Sequence, residues 1–464
     1  MTSRAKVIAY YLGLILAIFG AANYAPALVA LVTGGNASLF YLVTGTLMMF
    51  LGYTIHTLGR GASSKDLRFS DAATIATLSF ILPAVANALV MYASGYNFTD
   101  ALFESISGIT TTGLSMYSTS SLTPVFVFAR AWLQWLGGLG IVVLTLSLLV
   151  RPGTATYRLF STHFRREPSL PSSSILSKHI VLFYVGLTFL AFLAYAVTGL
   201  PAFDALIYSL TTTSTGGFSG YVSLSGNSSL VAMLFMFLSS QSFILYYKVL
   251  RSRNLKHILK SAQLASFTLL TIFGGIALFA MWRSGLMTVF FHFISALSTT
   301  GYSTTDVDSI PVAGQLLLVL AMFIGASMGS TGGGVKQFRV IVAFKAFVTS
   351  ILRLTEPKER VHIVKVGGER IEDSEVLTYL TVILTYAAII ALSTLIFTAF
   401  GYSLLPSLFS VTSALGTVGL QPSIITPQLP VILKVILMIN MILGRLEVIT
   451  VIAAFTGLIR LRER

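Results

Sequence analysis

The chain consists mainly of long apolar runs that are separated by short basic segments. Of its 464 residues, 55% are hydrophobic and only 10% are charged, a composition that soluble globular domains do not have. A membrane-spanning helix needs about 20 consecutive apolar residues, so the runs correspond to about ten spanning helices and several shorter segments. The sequence therefore predicts one large all-α polytopic membrane domain.

The first apolar run extends over residues 7–32 and has no small-residue cleavage site after a short core. A second run follows it at once, so we expect a retained helix and not a signal peptide. The chain contains no cysteine. This excludes disulfides, thiolate metal sites and cysteine nucleophiles.

Basic residues give the chain a formal net charge of +14. In a soluble protein this charge would suggest nucleic-acid binding, but here most basic residues lie at the chain ends and in loops between apolar runs. They lie near residues 4–6, 60–68, 151–178, 248–260, 345–370 and 460–464. The positive-inside rule places these segments and both termini in the cytoplasm, so no nucleic-acid partner is expected.

The other loops carry acidic residues and few basic ones, so they are predicted to face outward. Their acidic residues are Asp100, Glu104, Asp204, Asp306 and Asp308, and their basic residues are Arg130 and Arg283 near helix ends. Carboxylates at an outer mouth would attract cations weakly. Because salt screens this attraction, it does not set selectivity.

After residue 68, a pattern of long apolar run, short semi-polar stretch and long apolar run occurs four times. Each unit predicts helix, re-entrant pore loop and helix, and the even number of full spans gives all four units the same orientation. We therefore expect an extra N-terminal helix pair followed by four repeats arranged pseudo-fourfold around one pore. The predicted boundaries are 1–68 for the helix pair and 69–177, 178–261, 262–373 and 374–464 for the repeats, the third of which includes a glycine-rich intramembrane loop.

The four short stretches share a Thr-X-Gly element. Aligned on glycine they read ITTTGLS, TSTGGFS, LSTTGYS and LGTVGLQ, and the copies are Thr111-Thr112-Gly113, Thr215-Gly216-Gly217, Thr299-Thr300-Gly301 and Thr417-Val418-Gly419. In the second copy two adjacent glycines leave the register open, although the threonine two residues earlier and the Phe-Ser that follows favour Gly217. One such stretch would more often be a tight turn between helices, but four copies at matching positions favour a pore.

A potassium ion that leaves water needs its hydration shell replaced by oxygen dipoles, and rings of backbone carbonyls from four loops supply them. The sequence therefore predicts K+ at the carbonyls of the Thr-X-Gly elements. About a dozen residues of helical character precede each element, at 100–110, 204–214, 286–298 and 404–416. Short helices there would direct their partly negative carboxyl ends at the pore, which favours a cation.

The sixth full span after residue 68, the second of the third unit, is interrupted by the sequence GASMGSTGGGVK. Its glycines, Gly325, Gly329, Gly332, Gly333 and Gly334, do not sustain a helix. A flexible kink is one interpretation. The functional interpretation is a gate loop just below the filter, able to obstruct the path or to swing aside, with Lys336 at its cytoplasmic end.

Arg445 lies deep in the last apolar run, where a charge is costly and usually functional. Glu447 is two residues away and therefore points elsewhere on the helix, which makes it a poor intrahelical partner. We expect Arg445 to reach carbonyls of the gate loop and to hold that loop across the pore. The alternative is that Arg445 extends to the cytoplasmic interface.

Two other classes of protein are less well supported. A secondary transporter coupled to protons or sodium would need carboxylates in the spans and inverted repeats, whereas acidic residues there are nearly absent and the repeats are parallel. An enzyme would need a cluster of catalytic side chains. The histidines are scattered, at His56, His163, His179, His257, His292 and His362. No phosphate-binding motif is found, so nucleotide binding is expected only in a partner, for which the linkers 151–178 and 350–375 are candidate docking surfaces or simply solvated charge.

With these motifs, the chain resembles the Trk/Ktr/HKT superfamily of potassium transporters along essentially its whole length. The GSTGGGVK and GRLE segments and the extra N-terminal helix pair are similar to the TrkH-type uptake subunit in particular. The resemblance implies a potassium uptake subunit of the plasma (inner) membrane. It also implies a homodimer with one pore in each protomer, gated by a cytoplasmic nucleotide-binding ring of the TrkA kind.

The resemblance also implies roles for individual residues. The filter carbonyls of the family match Thr111, Thr112, Thr215, Gly216, Thr299, Thr300, Thr417 and Val418, each pair being followed by the filter glycine. The family's gate loop matches residues 325–336, and its buried arginine matches Arg445. In related plant proteins a serine at the first filter glycine accompanies sodium transport, so Gly113 favours potassium. Coupled cation transport and a less selective monovalent cation channel remain the alternatives.

Overall fold

The computed structural model describes residues 3–34, 37–61, 67–144, 173–254, 256–355 and 363–462. The linker at 151–172, with His163, and also His362 lie outside these residues. At the N-terminus, α1 (Ser3–Ala22), α2 (Tyr24–Thr33) and α3 (Ala37–Leu58) form the predicted extra pair of spans, in which α1 and α2 are consecutive parts of one span.

Glycines bring α1 and α3 into close contact. Gly13 and Gly20 lie seven residues apart on α1, and Gly45 and Gly52 lie seven apart on α3, so each pair shares one helix face. A Cβ added to Gly13 would lie 2.5 Å from the Gly52 carbonyl oxygen, and one added to Gly20 would lie 2.7 Å from the Gly45 oxygen. Small residues therefore let the two backbones pack directly, as is common between membrane helices.

The remaining helices form four sets, each with a long helix, a 12-residue helix and a second long segment. The first two sets are α4 (Phe69–Ala93), α5 (Phe98–Ile109) and α6 (Pro124–Leu144), then α7 (Ser173–Val197), α8 (Ala202–Thr213), α9 (Asn227–Ser239), α10 (Phe243–Ser252) and the short α11 (Lys256–Leu259). The third set is α12 (Ala262–Met281), α13 (Leu286–Leu297), α14 (Val312–Ile324) and α15 (Gln337–Thr355), and the fourth is α16 (Asp373–Ala399), α17 (Leu404–Leu415), α18 (Val431–Leu446) and α19 (Val448–Arg462). Single 3-10 turns occur at Thr119–Ser121 and Val307–Ser309.

The short helices predicted before each Thr-X-Gly element are present as α5, α8, α13 and α17. Each has 12 residues and ends two residues before the first threonine of its element. At the start of α5, the Asn97 side chain accepts hydrogen bonds from the backbone N–H groups of Thr99 (2.9 Å) and Asp100 (3.4 Å). This cap satisfies donors that have no partner within the helix.

Two spans predicted as continuous helices are broken. The apolar runs at 228–249 and 428–459 each correspond to one of the expected full spans, but neither is one straight helix, because α9 and α10 meet at 82° and α18 and α19 at 98°. At the first break, Ser240 O accepts from Ser327 N (3.0 Å) and Phe243 N donates to Gly329 O (3.0 Å). The glycine-rich segment thus bonds the groups that the break exposes, which makes irregular backbone tolerable inside a membrane.

The described residues contain seven helices long and apolar enough to cross a membrane, or nine spans if each bent pair is one. The interrupted pair α14 and α15 adds one further span, in line with the roughly ten expected from the apolar runs. The predicted all-α polytopic membrane fold is confirmed. The boundaries proposed for the four repeats stay a prediction.

A small β-hairpin, which the sequence analysis did not predict, lies in the linker before α16. Strands β1 (Lys365–Val366) and β2 (Glu369–Arg370) pair antiparallel, and the two residues between them, Gly367 and Gly368, have φ of 59° and 86°. Adjacent glycines with positive φ are typical of a two-residue hairpin turn. Val366 and Ile371 are buried in one cluster with Phe338 of α15, so this linker packs against the helices.

Candidate functional site

All four Thr-X-Gly elements adopt the same unusual backbone. The first threonine has a positive φ in every copy: 54° at Thr111, 53° at Thr215, 57° at Thr299 and 48° at Thr417. The final glycine does too: 88° at Gly113, 81° at Gly217, 85° at Gly301 and 102° at Gly419, whereas the middle residue does not. A positive φ costs a non-glycine residue about 1–3 kcal/mol, so its fourfold occurrence shows that the surroundings impose it. The second copy therefore aligns on Gly217.

The backbone N–H groups of each element turn toward the short helix before it. The N–H of the first threonine donates to the carbonyl three residues earlier, at 2.9, 3.0, 3.2 and 3.1 Å in chain order. The N–H of the middle residue donates to the carbonyl five residues earlier, at 2.8, 2.7, 3.0 and 2.9 Å. In the described part of the chain, the carbonyl oxygens of Thr112, Thr300 and Val418 accept no hydrogen bond. These buried acceptors are therefore available to a cation.

The four elements close into a ring. A Cβ added to Gly113 would collide with the carbonyl oxygen of Gly216, and one added to Gly217 would collide with that of Thr300. In the same way, Gly301 faces the carbonyl oxygen of Val418, and Gly419 faces that of Thr112. Each glycine thus packs against the middle carbonyl of the next copy, and the fourth copy returns to the first. The structure brings together all twelve residues singled out from the sequence.

Uncharged side chains join the copies, and the sequence analysis missed them. Gln421 Oε1 accepts from Ser115 N at 2.8 Å, which connects the fourth copy to the first. Tyr302, which follows the third copy, lies with its hydroxyl 2.9 Å from Thr212 Oγ1 of α8. Gln134 Nε2 donates to the Gly216 carbonyl at 2.5 Å. The only sequence signal for Gln134 is an isolated amide within an apolar run.

The glycine-rich loop, residues 325–336, lies against the threonine side of this ring. Gly333 N donates to Thr299 Oγ1 at 2.6 Å, and Gly334 N donates to Gly416 O at 3.0 Å. Thr331 Oγ1 donates to Thr213 O at 3.1 Å. The loop therefore contacts residues at or next to three of the four elements.

Close approach explains two of the loop's glycines. A Cβ at Gly333 would collide with the Gly416 carbonyl, and one at Gly332 would lie 3.0 Å from both Ser298 O and Thr299 Oγ1. Gly325, Gly329 and Gly334 have φ of 71°, 83° and 76°, which larger residues rarely adopt. The predicted break in the helix is therefore a loop whose backbone conformation and close contacts require glycine at these positions.

Arg445 lies inside the protein and contacts this loop, as expected from the sequence. Its side chain is 5% exposed, which rules out the interfacial alternative. Nη1 donates to Thr331 O at 2.5 Å and Nη2 donates to Gly137 O at 3.3 Å. Lys336 Nζ donates to Gly332 O within the loop. A buried arginine thus links the centre of the loop to α18 and α6.

Glu447 marks the bend between α18 and α19, where its φ is +65°. It lies just outside α18, so the helical spacing from Arg445 that the sequence suggested does not apply. Its Oε1 instead accepts from Arg339 Nη2 at 2.8 Å, and Arg339, just after the loop, is 2% exposed. This pair fixes the start of α15 to the bend. Its two residues are 108 positions apart, so the sequence alone did not reveal it.

Three of the outer carboxylates are buried and bonded to other groups of the protein. Asp100 pairs with Lys434, a buried lysine that the sequence analysis overlooked, and Glu104 lies 3.5 Å from Arg130. Asp204 accepts from Tyr221 N (2.5 Å) and Val222 N (3.1 Å). Burial forces these carboxylates to take protein partners, because an unpaired buried charge is costly. Asp306 and Asp308 are exposed, as predicted.

The described histidines form no catalytic or metal-binding cluster. His56 Nδ1 lies 2.9 Å from Tyr10 O, and His292 Nδ1 lies 2.8 Å from Thr288 O. Within the described residues, no group of three or more histidine, cysteine, aspartate or glutamate side chains is placed to hold a metal ion.

Comparison with known proteins gives a consistent result. The family model TrkH, described as a cation transport protein, matches residues 43–282 and 258–459. The TrkH potassium uptake protein of Halomonas elongata is 31% identical over 97% of this chain and 98% of its own length. An uncharacterised cation transporter of Methanocaldococcus jannaschii is 29% identical over 97% of this chain and 95% of its own length.

A solved structure agrees with the sequence comparison. The crystal structure of the potassium transporter TrkH from Vibrio parahaemolyticus matches with a TM-score of 0.86 at 27% sequence identity, covering 97% of this chain and 98% of that chain. The match thus extends over both the N-terminal helices and the four sets that form the ring. The protein is a multi-pass membrane protein and belongs to the TrkH family of cation transport proteins, which are transporters and not enzymes.

Proposed function

We propose that this protein moves potassium ions across the membrane through the ring of four Thr-X-Gly elements. The observation that carries the proposal is the closed order of contacts, in which each filter glycine packs against the middle carbonyl of the next copy. Four inward-facing sets of carbonyls supply the oxygen dipoles that replace a hydration shell. The potassium uptake proteins and potassium transporter among the relatives support the choice of ion.

Unpaired hydroxyls at the ring support an ion site as well. Within the described residues, Thr111 Oγ1 and Thr417 Oγ1 are buried and have no hydrogen-bond partner. Buried polar atoms without partners are uncommon and call for an explanation. A cation or its water at the threonine end of the filter would satisfy them.

We propose that the loop 325–336 is the gate. It lies directly against the threonine end of the filter, and the Arg445 guanidinium adds a positive charge there, which opposes a passing cation. Conduction then requires the loop to leave this position. Arg445 holds it in place through Thr331 O, Lys336 bonds Gly332 O within the loop, and the Glu447–Arg339 pair fixes the end from which the loop would swing.

We also propose the surroundings in which the pore works. The proposed location is the plasma (inner) membrane, in contact with its lipids, with both termini and the gate side in the cytoplasm, and the positive-inside rule applied to the basic segments supports this orientation. The remaining proposals rest on the resemblance to the family: four pore repeats at 69–177, 178–261, 262–373 and 374–464, a homodimer, and a TrkA-like nucleotide-binding ring as the gating partner. Analytical ultracentrifugation in detergent tests the dimer, and co-purification with such a ring tests the partner.

The decisive experiment measures cation flux into proteoliposomes for K+, Rb+, Na+ and Li+, with a Gly113→Ser variant alongside. The proposal expects flux selective for K+ and Rb+ in the wild type and weaker selectivity in the variant, because a Cβ at Gly113 reaches the Gly216 carbonyl. Equal flux of all four cations would indicate a less selective channel. Flux only in the presence of a proton or sodium gradient would indicate coupled transport.

A further inference from the structure

The second filter copy differs from the others in its middle residue. Thr112, Thr300 and Val418 carry side chains at this position, whereas Gly216 has none. A Cβ added to Gly216 would lie 2.8 Å from Gln134 Nε2 and closer still to other atoms of that carboxamide. The end of the Gln134 side chain therefore occupies the space that a middle side chain would need in this copy.

Gln134 makes two hydrogen bonds to the second copy. It lies on α6 and is fully buried. Its Nε2 donates to Gly216 O at 2.5 Å, and its Oε1 accepts from Phe218 N at 3.2 Å. Because a backbone N–H only donates and a carbonyl only accepts, these two partners fix the orientation of the amide. The two bonds bridge Gly217, the glycine that faces the third copy.

Arg130, one helical turn before Gln134, contacts the segment that follows the second copy. Its guanidinium carbon lies 4.6 Å from the centre of the Phe218 ring, and Nη2 donates to Ser219 O at 3.3 Å. Residues four apart share a helix face, so one face of α6 holds residues 216–219 from behind. These contacts come from α6, which belongs to the first set of helices, and not from α8, the short helix that precedes the second copy.

We propose that Gln134 is a positioning residue that fixes the second filter copy and thereby sets the preference for potassium over sodium. Two consecutive glycines have more backbone freedom than any other middle and final pair in the ring. The bond from Gln134 holds the Gly216 carbonyl at its place in the ring. Without that bond the carbonyl is free to move toward a smaller ion. This inference rests on the proposed function, since it presumes that the ring binds potassium.

The test compares Gln134→Met with Gln315→Met in the proteoliposome assay. Methionine keeps the approximate volume of glutamine and removes both hydrogen bonds. Gln315 is a matched control, because it is a buried glutamine whose Nε2 donates to a backbone carbonyl, Ile310 O at 2.8 Å, away from the filter. We expect the ratio of K+ to Na+ flux to fall about tenfold in Gln134→Met and to stay unchanged in Gln315→Met.

A second pair of variants tests the shared space directly. Gly216→Ala alone is expected to lower the K+ to Na+ ratio, because its Cβ meets the Gln134 carboxamide. Adding Gln134→Ala should recover part of the ratio by vacating that space. A purely structural role for Gln134 predicts the opposite, with the double variant worse than either single one. This pair also decides the matter if Gln134→Met does not yield folded protein.

The outcomes separate this inference from the proposed function. If the wild-type protein shows no K+ selectivity, both the proposed function and this inference are contradicted. A selective wild type whose selectivity is unchanged in Gln134→Met, or lowered equally by Gln315→Met, would overturn the inference alone. Selectivity lost in Gln134→Met and partly recovered in the Gly216→Ala, Gln134→Ala double variant would support it.

Discussion

The filter ring and the loop against it are built on opposite principles. Each filter element is held by hydrogen bonds to the short helix just before it, such as Thr112 N to Ser107 O. The loop is held by residues far away in sequence, such as Arg445, which is 114 positions from its partner Thr331. Local bonds can be repeated four times, whereas only one segment fits on the axis of a ring. The symmetric part of the molecule is therefore encoded locally, and the part that breaks the symmetry depends on contacts between sets.

The largest effect is expected from a substitution that introduces a clash between two neighbouring filter copies. In Gly301→Ala, the new Cβ would collide with the Val418 carbonyl oxygen, so we expect K+ flux to fall about 100-fold or more. Gly401→Ala is the matched control. Gly401 also has a positive φ, 90°, but a Cβ there meets nothing within 4 Å.

Both variants strain the backbone equally, so a difference in flux isolates the contact between copies. The measurement is the initial rate of K+ or Rb+ uptake into proteoliposomes at equal protein content. Similar losses in Gly301→Ala and Gly401→Ala would show that the positive φ alone matters and that packing in the ring does not.

A smaller effect of opposite sign is expected at the loop. Arg445→Met removes the hydrogen bond to Thr331 O and a buried positive charge, so resting K+ flux should rise about tenfold. The control is Arg251→Met, which changes a basic residue whose guanidinium donates to Tyr247 Oη at 2.7 Å, away from the loop. Unchanged or lower flux in correctly folded Arg445→Met would contradict a holding role for this residue.

The smallest effect is expected at the outer surface. Asp306 is exposed, and its Oδ1 accepts from Asp308 N at 3.1 Å, a bond that asparagine can also accept. Asp306→Asn should lower K+ flux less than about twofold at low salt and not at all at high salt, because ions screen an exposed charge. A large loss that persists in high salt would mean that Asp306 contacts the permeating ion.

Much of this arrangement could be predicted from local sequence. Each Thr-X-Gly element needs a glycine where φ is positive and a short apolar helix before it, and both leave a pattern within about 15 residues. The glycine-rich break and the depth of Arg445 are local signals of the same kind. For this reason the sequence alone predicts the Thr-X-Gly elements, the short helices before them and the interrupted span.

Other features left no local signal. The breaks at Ser240 and Glu447 lie within runs apolar enough to be continuous spans, and only bonds from the loop and from Arg339 make them tolerable. Asp100 appeared to be an outer charge, because its partner Lys434 is 334 positions away. The β-hairpin differs from these features, because its adjacent glycines, Gly367 and Gly368, are a local signal of a two-residue turn.

The amino-acid sequence alone indicates that the chain crosses a membrane repeatedly and that four equivalent Thr-X-Gly elements occur at matching positions. Composition and short-range pattern suffice for this, because the bilayer imposes apolar length and the backbone imposes glycine at positive φ. The packing of the helices establishes which copy faces which, how the Gln134 side chain fills the space beside Gly216, and which carboxylates are buried in pairs. These outcomes depend on distances between residues far apart in the chain, and such distances exist only once the helices have packed.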